Sequence, residues 1–172
     1  MILLLACLFV LVCYKWGDWR NWKTYYATIL FLIAGDFIYY YVAGAKPLWQ
    51  YTTKLFPGSI ATLIISLIIY PCTVLIFLPL YPKSGAIKKV CYITVWVCLY
   101  AFLEYLALKY NYMQHFNGWH FSYSVLFDYT LFPLLLIHQK KPPVAWLLSC
   151  IFGFSIAFLF NLSASHYHLL TG

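Results

Sequence analysis

The sequence predicts an all-α fold: a polytopic transmembrane helical bundle of about six helices, with both termini outside. Three observations carry this. The 172 residues are 65% hydrophobic and only 9% charged, against about 25% charged in soluble domains. The apolar residues fall into six runs, approximately 1–16, 20–44, 59–80, 89–110, 120–138 and 144–164. The basic residues are divided unevenly between alternate loops. No polar stretch is long enough for a soluble domain, so residues 1–172 read as a single integral membrane domain.

The first run is short. Sixteen residues rise about 24 Å at about 1.5 Å each, less than the ~30 Å hydrocarbon core. No positive residue precedes it and several follow, which is the reverse of a secretory signal. It therefore reads as a retained helix with its N-terminus outside. The junction KWGDWRNWK, 15–23, follows. Gly17 is placed to end the first helix and Asp18 to cap the second. Trp16, Trp19 and Trp22 recur every third residue and read as a headgroup anchor. Asp18 beside Arg20 reads as a rim ion pair of little energetic weight.

The other five runs reach the length of about 17–25 residues that a crossing needs. Turn signals separate them: Pro57-Gly58, Pro82 with Gly85, Asn117-Gly118 and Pro142-Pro143. Lys15, Arg20, Lys23, Lys83, Lys88, Lys89, Lys140 and Lys141 all fall in the first, third and fifth loops, against Lys46, Lys54 and Lys109 in the others. Cytoplasmic loops are the basic ones, so these residues set the orientation. Pro71 and Pro133 lie inside helices and would leave the carbonyls of Leu67 and Tyr129 without their usual partners. Each reads as a packing kink or as a polar notch.

Several functions find no support. The net charge of +7 is scattered between apolar runs, so it carries topology and no nucleic-acid signal. Cys7, Cys13, Cys72, Cys91, Cys98 and Cys150 lie in or beside apolar runs without a CxxC and read as small core residues. No nucleophile–base pair, phosphate loop or HExxH motif occurs. Asn161-Leu162-Ser163 is a formal glycosylation sequon in an apolar run.

The acids hold the chemistry. There are four: Asp18 in a loop, and Asp36, Glu104 and Asp128 inside predicted spans. A central intramembrane aspartate costs about 2.5–3.5 kcal/mol on insertion scales, so such residues are candidate functional positions. With the orientation above, Asp36 and Asp128 lie about 12 Å from the outer end of their helices and Glu104 about 8 Å. Asn161 falls in the same layer. Helical spacing offers Tyr39 and Tyr40 to Asp36, Tyr100 to Glu104 and Ser124 to Asp128 as hydroxyl donors. No Lys or Arg lies deep in a span. The acids are then protonated donors, or hold a cation, or are reached from the rim by Lys46, Lys54 or Lys109. Among His115, His120, His138, His166 and His168, His120 stands out because it opens a helix above Asp128. With two carboxylates it would suit a divalent ion. His166-Tyr-His168 is a weaker metal pattern.

The ordered motifs KWGDWRNW, YYATILFLIAGDFIYYY, PLW, IIYPCTVLIFLPLYP, VWVCLYAFLEY, NGW and HQKKPPVAW span Lys15 to Trp146. In these the chain resembles a family of small multi-pass membrane proteins from Gram-positive, largely spore-forming bacteria. The resemblance implies residence in the cytoplasmic or the spore membrane and supplies no catalytic residues. A looser likeness, in size and composition only, is to the tryptophan-rich sensory proteins, five-helix bundles that bind tetrapyrroles or sterols. Three functions follow, in order. The first is binding or transport of a small cationic or amphipathic ligand, or of protons, through Asp36, Glu104, Asp128, Asn161 and His120 with Tyr40, Tyr100 and Ser124. The second is a non-catalytic subunit of a membrane complex, with itself or another membrane protein as partner. The third is an intramembrane enzyme acting on lipid. The residues select no cofactor.

Overall fold

A computed structural model describes residues 2–44, 46–53 and 57–162. Lys54, His166, His168 and Ser163 of the sequon lie outside the described residues. Six helices form: α1 (Ile2–Trp16), α2 (Trp22–Ala43), α3 (Gly58–Phe77), α4 (Ala86–Lys109), α5 (Phe121–Lys140) and α6 (Pro142–Leu159). The last five are long and apolar enough to cross a membrane. Helix α1 has 15 residues, or about 22 Å, so it stays the short one. Its buried residues, Ile2, Ala6, Phe9 and Cys13, repeat at helical spacing along one stripe, and that stripe packs chiefly on α3. Helix α2 packs on α3 and α5, and α5 carries α4 and α6 on its other sides.

Helix α3 is the central post, the most enclosed of the five long helices. It departs from a plain α-helix. Residues Ile65–Ile69 form a π-turn, in which the Tyr70 amide donates to the Ile65 carbonyl five residues back. The widened turn stands just before Pro71, whose missing N–H would otherwise leave a gap in an α-helical ladder. Ser66, fully buried in this turn, donates to the Asp36 carboxylate on α2. The polar-notch reading of Pro71 is the one the geometry supports. Farther along α3, Phe77 packs between Trp96 of α4 and Phe132 of α5.

The two ends of the bundle differ. One holds the basic loops. At the other, the α2–α3 and α4–α5 connections pair as β1 (Trp49–Tyr51) and β2 (Met113–His115), antiparallel, with Trp49 opposite His115 and Tyr51 opposite Met113. This sheet is an addition to the all-helical expectation. It is extended by Thr52 N–H to the Tyr112 carbonyl (2.9 Å), Phe116 N–H to the Leu48 carbonyl (2.8 Å) and Asn117 Nδ2 to the Pro47 carbonyl (2.7 Å). Its cause is local chemistry: two extended loops at an apolar surface need partners for their backbone groups, and each is the other's nearest supply.

The 15–23 junction is built differently from its sequence reading. The Cys13 carbonyl near the end of α1 accepts from Gly17 N–H (2.7 Å) and from the Trp19 indole Nε1 (2.6 Å). A side chain at Gly17 would collide with that carbonyl and with the Cys13 thiol, so glycine is needed there for space. Trp19 thus caps a helix as well as marking the interface. Asp18 does not cap α2. Its carboxylate accepts from Asn21 Nδ2 (3.0 Å) and Tyr25 Oη (3.2 Å), because a 3₁₀ turn over Trp19–Asn21 separates it from the first amides of α2. Nor does it form an ion pair with Arg20. Trp16, Trp19 and Trp22 remain substantially exposed.

Tyr39 ties α2 to the sheet. Its hydroxyl accepts from the amides of Leu48 (2.8 Å) and Trp49 (3.0 Å), and its ring stacks on Trp49 at 3.9 Å. Tyr39→Phe strands both amides and should cost about 1–3 kcal/mol. Thermal unfolding in detergent checks this: a fall of several degrees is expected, with no change for Tyr41→Phe, whose side chain is 83% exposed.

Candidate functional site

Beneath the sheet lies a cavity of about 140 Å³. Its walls come from every part of the fold near that end. Helix α1 contributes Ile2, Leu5 and Phe9, α3 contributes Tyr70, α4 contributes Tyr100 and Glu104, and α5 contributes Ser124, Phe127 and Asp128. The cover is Trp49 and Tyr51 of β1, with Tyr112, Met113 and Trp119 from the facing connection. Two of the three intramembrane acids therefore share one partly enclosed space, and their carboxyls interact electrostatically.

They are held unlike each other. The Glu104 carboxylate contacts His115 Nε2 at 2.9 Å, the one ion-pair-like contact among the described residues. The Schellman turn that ends α4 makes this possible. There Asn111, at φ 56°, reverses the chain while Tyr112 N–H closes on the Ala107 carbonyl at 2.7 Å. The chain then returns as β2 with His115 above Glu104. Asp128 is 8% exposed, and no hydrogen bond from a described residue reaches its carboxyl. Among the described residues, no Lys or Arg lines the cavity, and no trio of His, Cys, Asp or Glu is arranged to hold a metal ion.

The hydroxyl partners differ from those offered by helical spacing. Tyr100 bonds Thr73 Oγ1 on α3 (2.6 Å), so it serves the α3–α4 seam instead of Glu104. Ser124 accepts from Trp119 Nε1 (2.9 Å) and lies within hydrogen-bond reach of Glu104, so it does not serve Asp128. Tyr40 accepts from Thr62 (3.2 Å), and Asp36 is met by Ser66 and Tyr70. Residues on one helix at i±4 share a face, but each hydroxyl here is taken by a group on a neighbouring element. Asp36 lines no part of the cavity; Tyr70 stands between, lining the cavity and reaching Asp36.

Two expected members leave the site. His120 is exposed and stacks on Tyr123 at 5.1 Å, so it does not join the carboxylates. Asn161 occupies the left-handed position after α6, at φ 49°, where Leu162 N–H closes on the Ala157 carbonyl at 2.9 Å. It is a helix stop, a place that favours glycine or asparagine. The residue that the sequence left among ordinary interfacial histidines, and that the structure brings to Glu104, is His115. Trp49, Tyr51 and Trp119 were likewise unmarked.

The chain is thus a six-helix bundle of the integral-membrane kind, with a lidded, aromatic-walled, acid-bearing cavity at one end. Comparison with protein-family models, curated proteins and solved structures finds no match.

Burial, and then the neighbouring His120, push the His115 imidazole below its ordinary value of 6.5. Burial thus disfavours the charged imidazole, and His115 meets Glu104 through Nε2 at 2.9 Å. The folded state binds this proton less readily than the unfolded chain. Its stability is then unaffected well above pH 6.5 and is lost as the pH falls below it. Thermal unfolding followed from pH 7.5 to pH 5 should decline more steeply for wild type than for His115→Gln.

Proposed function

We propose that this protein is a bacterial integral membrane protein that binds a small organic cation in the cavity, in the outer half of the bilayer. The resemblance described above and the placement of the basic loops support the location. The observation that carries the function is the pairing of Glu104 and Asp128 in one aromatic-walled cavity that no basic side chain among the described residues lines. A buried charge is stable only when paired. Trp49, Trp119, Tyr51, Tyr70, Tyr100 and Tyr112 offer ring surface on several sides. A desolvated cation over such rings gains about 2 kcal/mol.

Size narrows the ligand class. A cavity of about 150 Å³ accommodates benzene, so a molecule of five to seven heavy atoms suits this one. A methylated or short-chain ammonium ion fits in charge, size and ring affinity. Asp128 would be its counter-ion. Glu104, already engaged by His115, would adjust its strength. Asp36, outside the cavity, would act only through Tyr70.

The test uses purified full-length protein, with tetramethylammonium and the neutral tert-butanol as probes. Saturating ligand at about 100 times Kd stabilises by about 2.7 kcal/mol. The cation should therefore raise the unfolding temperature by several degrees, and tert-butanol should not. Asp128→Asn should cut the shift most deeply, Glu104→Gln should reduce it, and Asp36→Asn should leave most of it. No shift in wild type, or an undiminished shift in Asp128→Asn, would refute the reading.

A further inference from the structure

At the basic end, away from the cavity, α2, α5 and α6 enclose a second groove, about 390 Å³ in volume and open to the side. We propose that this groove binds one anionic phospholipid whose head group carries a hydroxyl, with His138 as the hydrogen-bond acceptor for that hydroxyl.

A polar relay ends in the groove. Gln139 Nε2 donates to the Thr24 carbonyl (2.9 Å), which fixes the amide orientation and leaves Oε1 as an acceptor. Thr28 donates its one hydroxyl proton to that Oε1 (2.8 Å). The Thr28 oxygen, 3.0 Å from His138 Nδ1, has no proton left to give. Nδ1 must therefore carry the proton and donate. The neutral ring then presents Nε2 as a lone-pair acceptor. His138 is 96% buried by its 4% exposure and lines the groove, and no described residue donates to Nε2. Phe31, stacked on the ring at 4.2 Å, holds its orientation.

The rest of the groove matches the remainder of a lipid. Ala27, Phe31 and Ala34 fall on one face of α2, and their small or flat side chains leave a channel about 10 Å long. Trp146 of α6 closes one side, edge-on to Phe31 at 4.8 Å. The mouth is positive. Lys23 lies four residues before Ala27 on the same helix face, and Lys140 and Lys141 directly precede the groove-lining Pro142; all three are exposed. His138 is two residues from the end of α5, at the depth where a head group begins. The groove thus offers an apolar channel to an acyl chain and basic side chains to the phosphate, while the head-group hydroxyl, which is attached beyond the phosphate, reaches the His138 acceptor by turning back beside the basic side chains. Anionic lipids populate the leaflet that the basic loops face.

The experiment adds phosphatidylglycerol, phosphatidylmethanol or phosphatidylcholine, with identical acyl chains, to the full chain in mixed micelles. Bound lipid is counted by native mass spectrometry alongside the unfolding temperature. Phosphatidylglycerol should be retained at one per chain, about five- to tenfold over phosphatidylmethanol, the ratio one buried hydrogen bond confers, with phosphatidylcholine weakest. His138→Phe keeps a ring against Phe31 and should erase the preference over phosphatidylmethanol. Ala34→Trp leaves the relay intact, fills the channel and should weaken both anionic lipids. Equal retention of all three lipids by wild type, or an unaltered preference in His138→Phe, would overturn the proposal. So would a dimer that Ala34→Trp dissociates without changing lipid retention, since a second copy would then be the occupant. Tetramethylammonium binding is independent of every outcome, because Glu104 and Asp128 lie at the other end.

Discussion

Inside an apolar bundle, a polar group without a partner costs several kcal/mol, and most of this fold is arranged around meeting that requirement. The π-turn of α3 brings Ser66 to Asp36 beside a proline that cannot donate. The two connections at one end pair with each other, and Tyr39 takes up two further amides. Helices α4 and α6 stop in Schellman turns built on asparagine. Among the described residues, no side-chain nitrogen or oxygen that is itself sealed from the surface is left without a partner. Against that background, the Asp128 carboxyl and the His138 Nε2 stand out as acceptors, one lining the cavity and one the groove, to which no described residue donates.

Helix α1 serves the cavity as well as the core. Its residues Ile2, Leu5 and Phe9 line the cavity beside the acids, with Ile2 and Phe9 on the same stripe that packs against α3. The cavity is thus walled on one side by α1 and covered by the two connections that pair as β1 and β2.

The helices were legible in the sequence because composition and length alone decide whether a segment can cross, and turn residues mark where it ends. The three intramembrane acids were legible for the same reason: an ionisable residue in an apolar run is conspicuous. Their partners were not. Tyr100 and Ser124 sit at the expected helical offsets, but a side chain bonds the group it faces, and Thr73 and Trp119 reach them from other elements. His115 could not be selected among five histidines, because its role depends on pairing between residues 49–51 and 113–115, which no local pattern announces. Asn161 and His120 were chosen by depth, which says nothing about direction. A partial signal did exist for Asn161 and Asn111: an asparagine just past an apolar run is a helix-stop pattern.

The central claim is that Glu104 and Asp128 act on one ligand in one cavity. A double-mutant cycle on tetramethylammonium binding tests it most directly. If they share the ligand, Glu104→Gln and Asp128→Asn together should weaken binding little more than Asp128→Asn alone, a coupling well outside additivity. If the free-energy losses of the two substitutions simply add, the carboxylates act independently and the shared site does not exist.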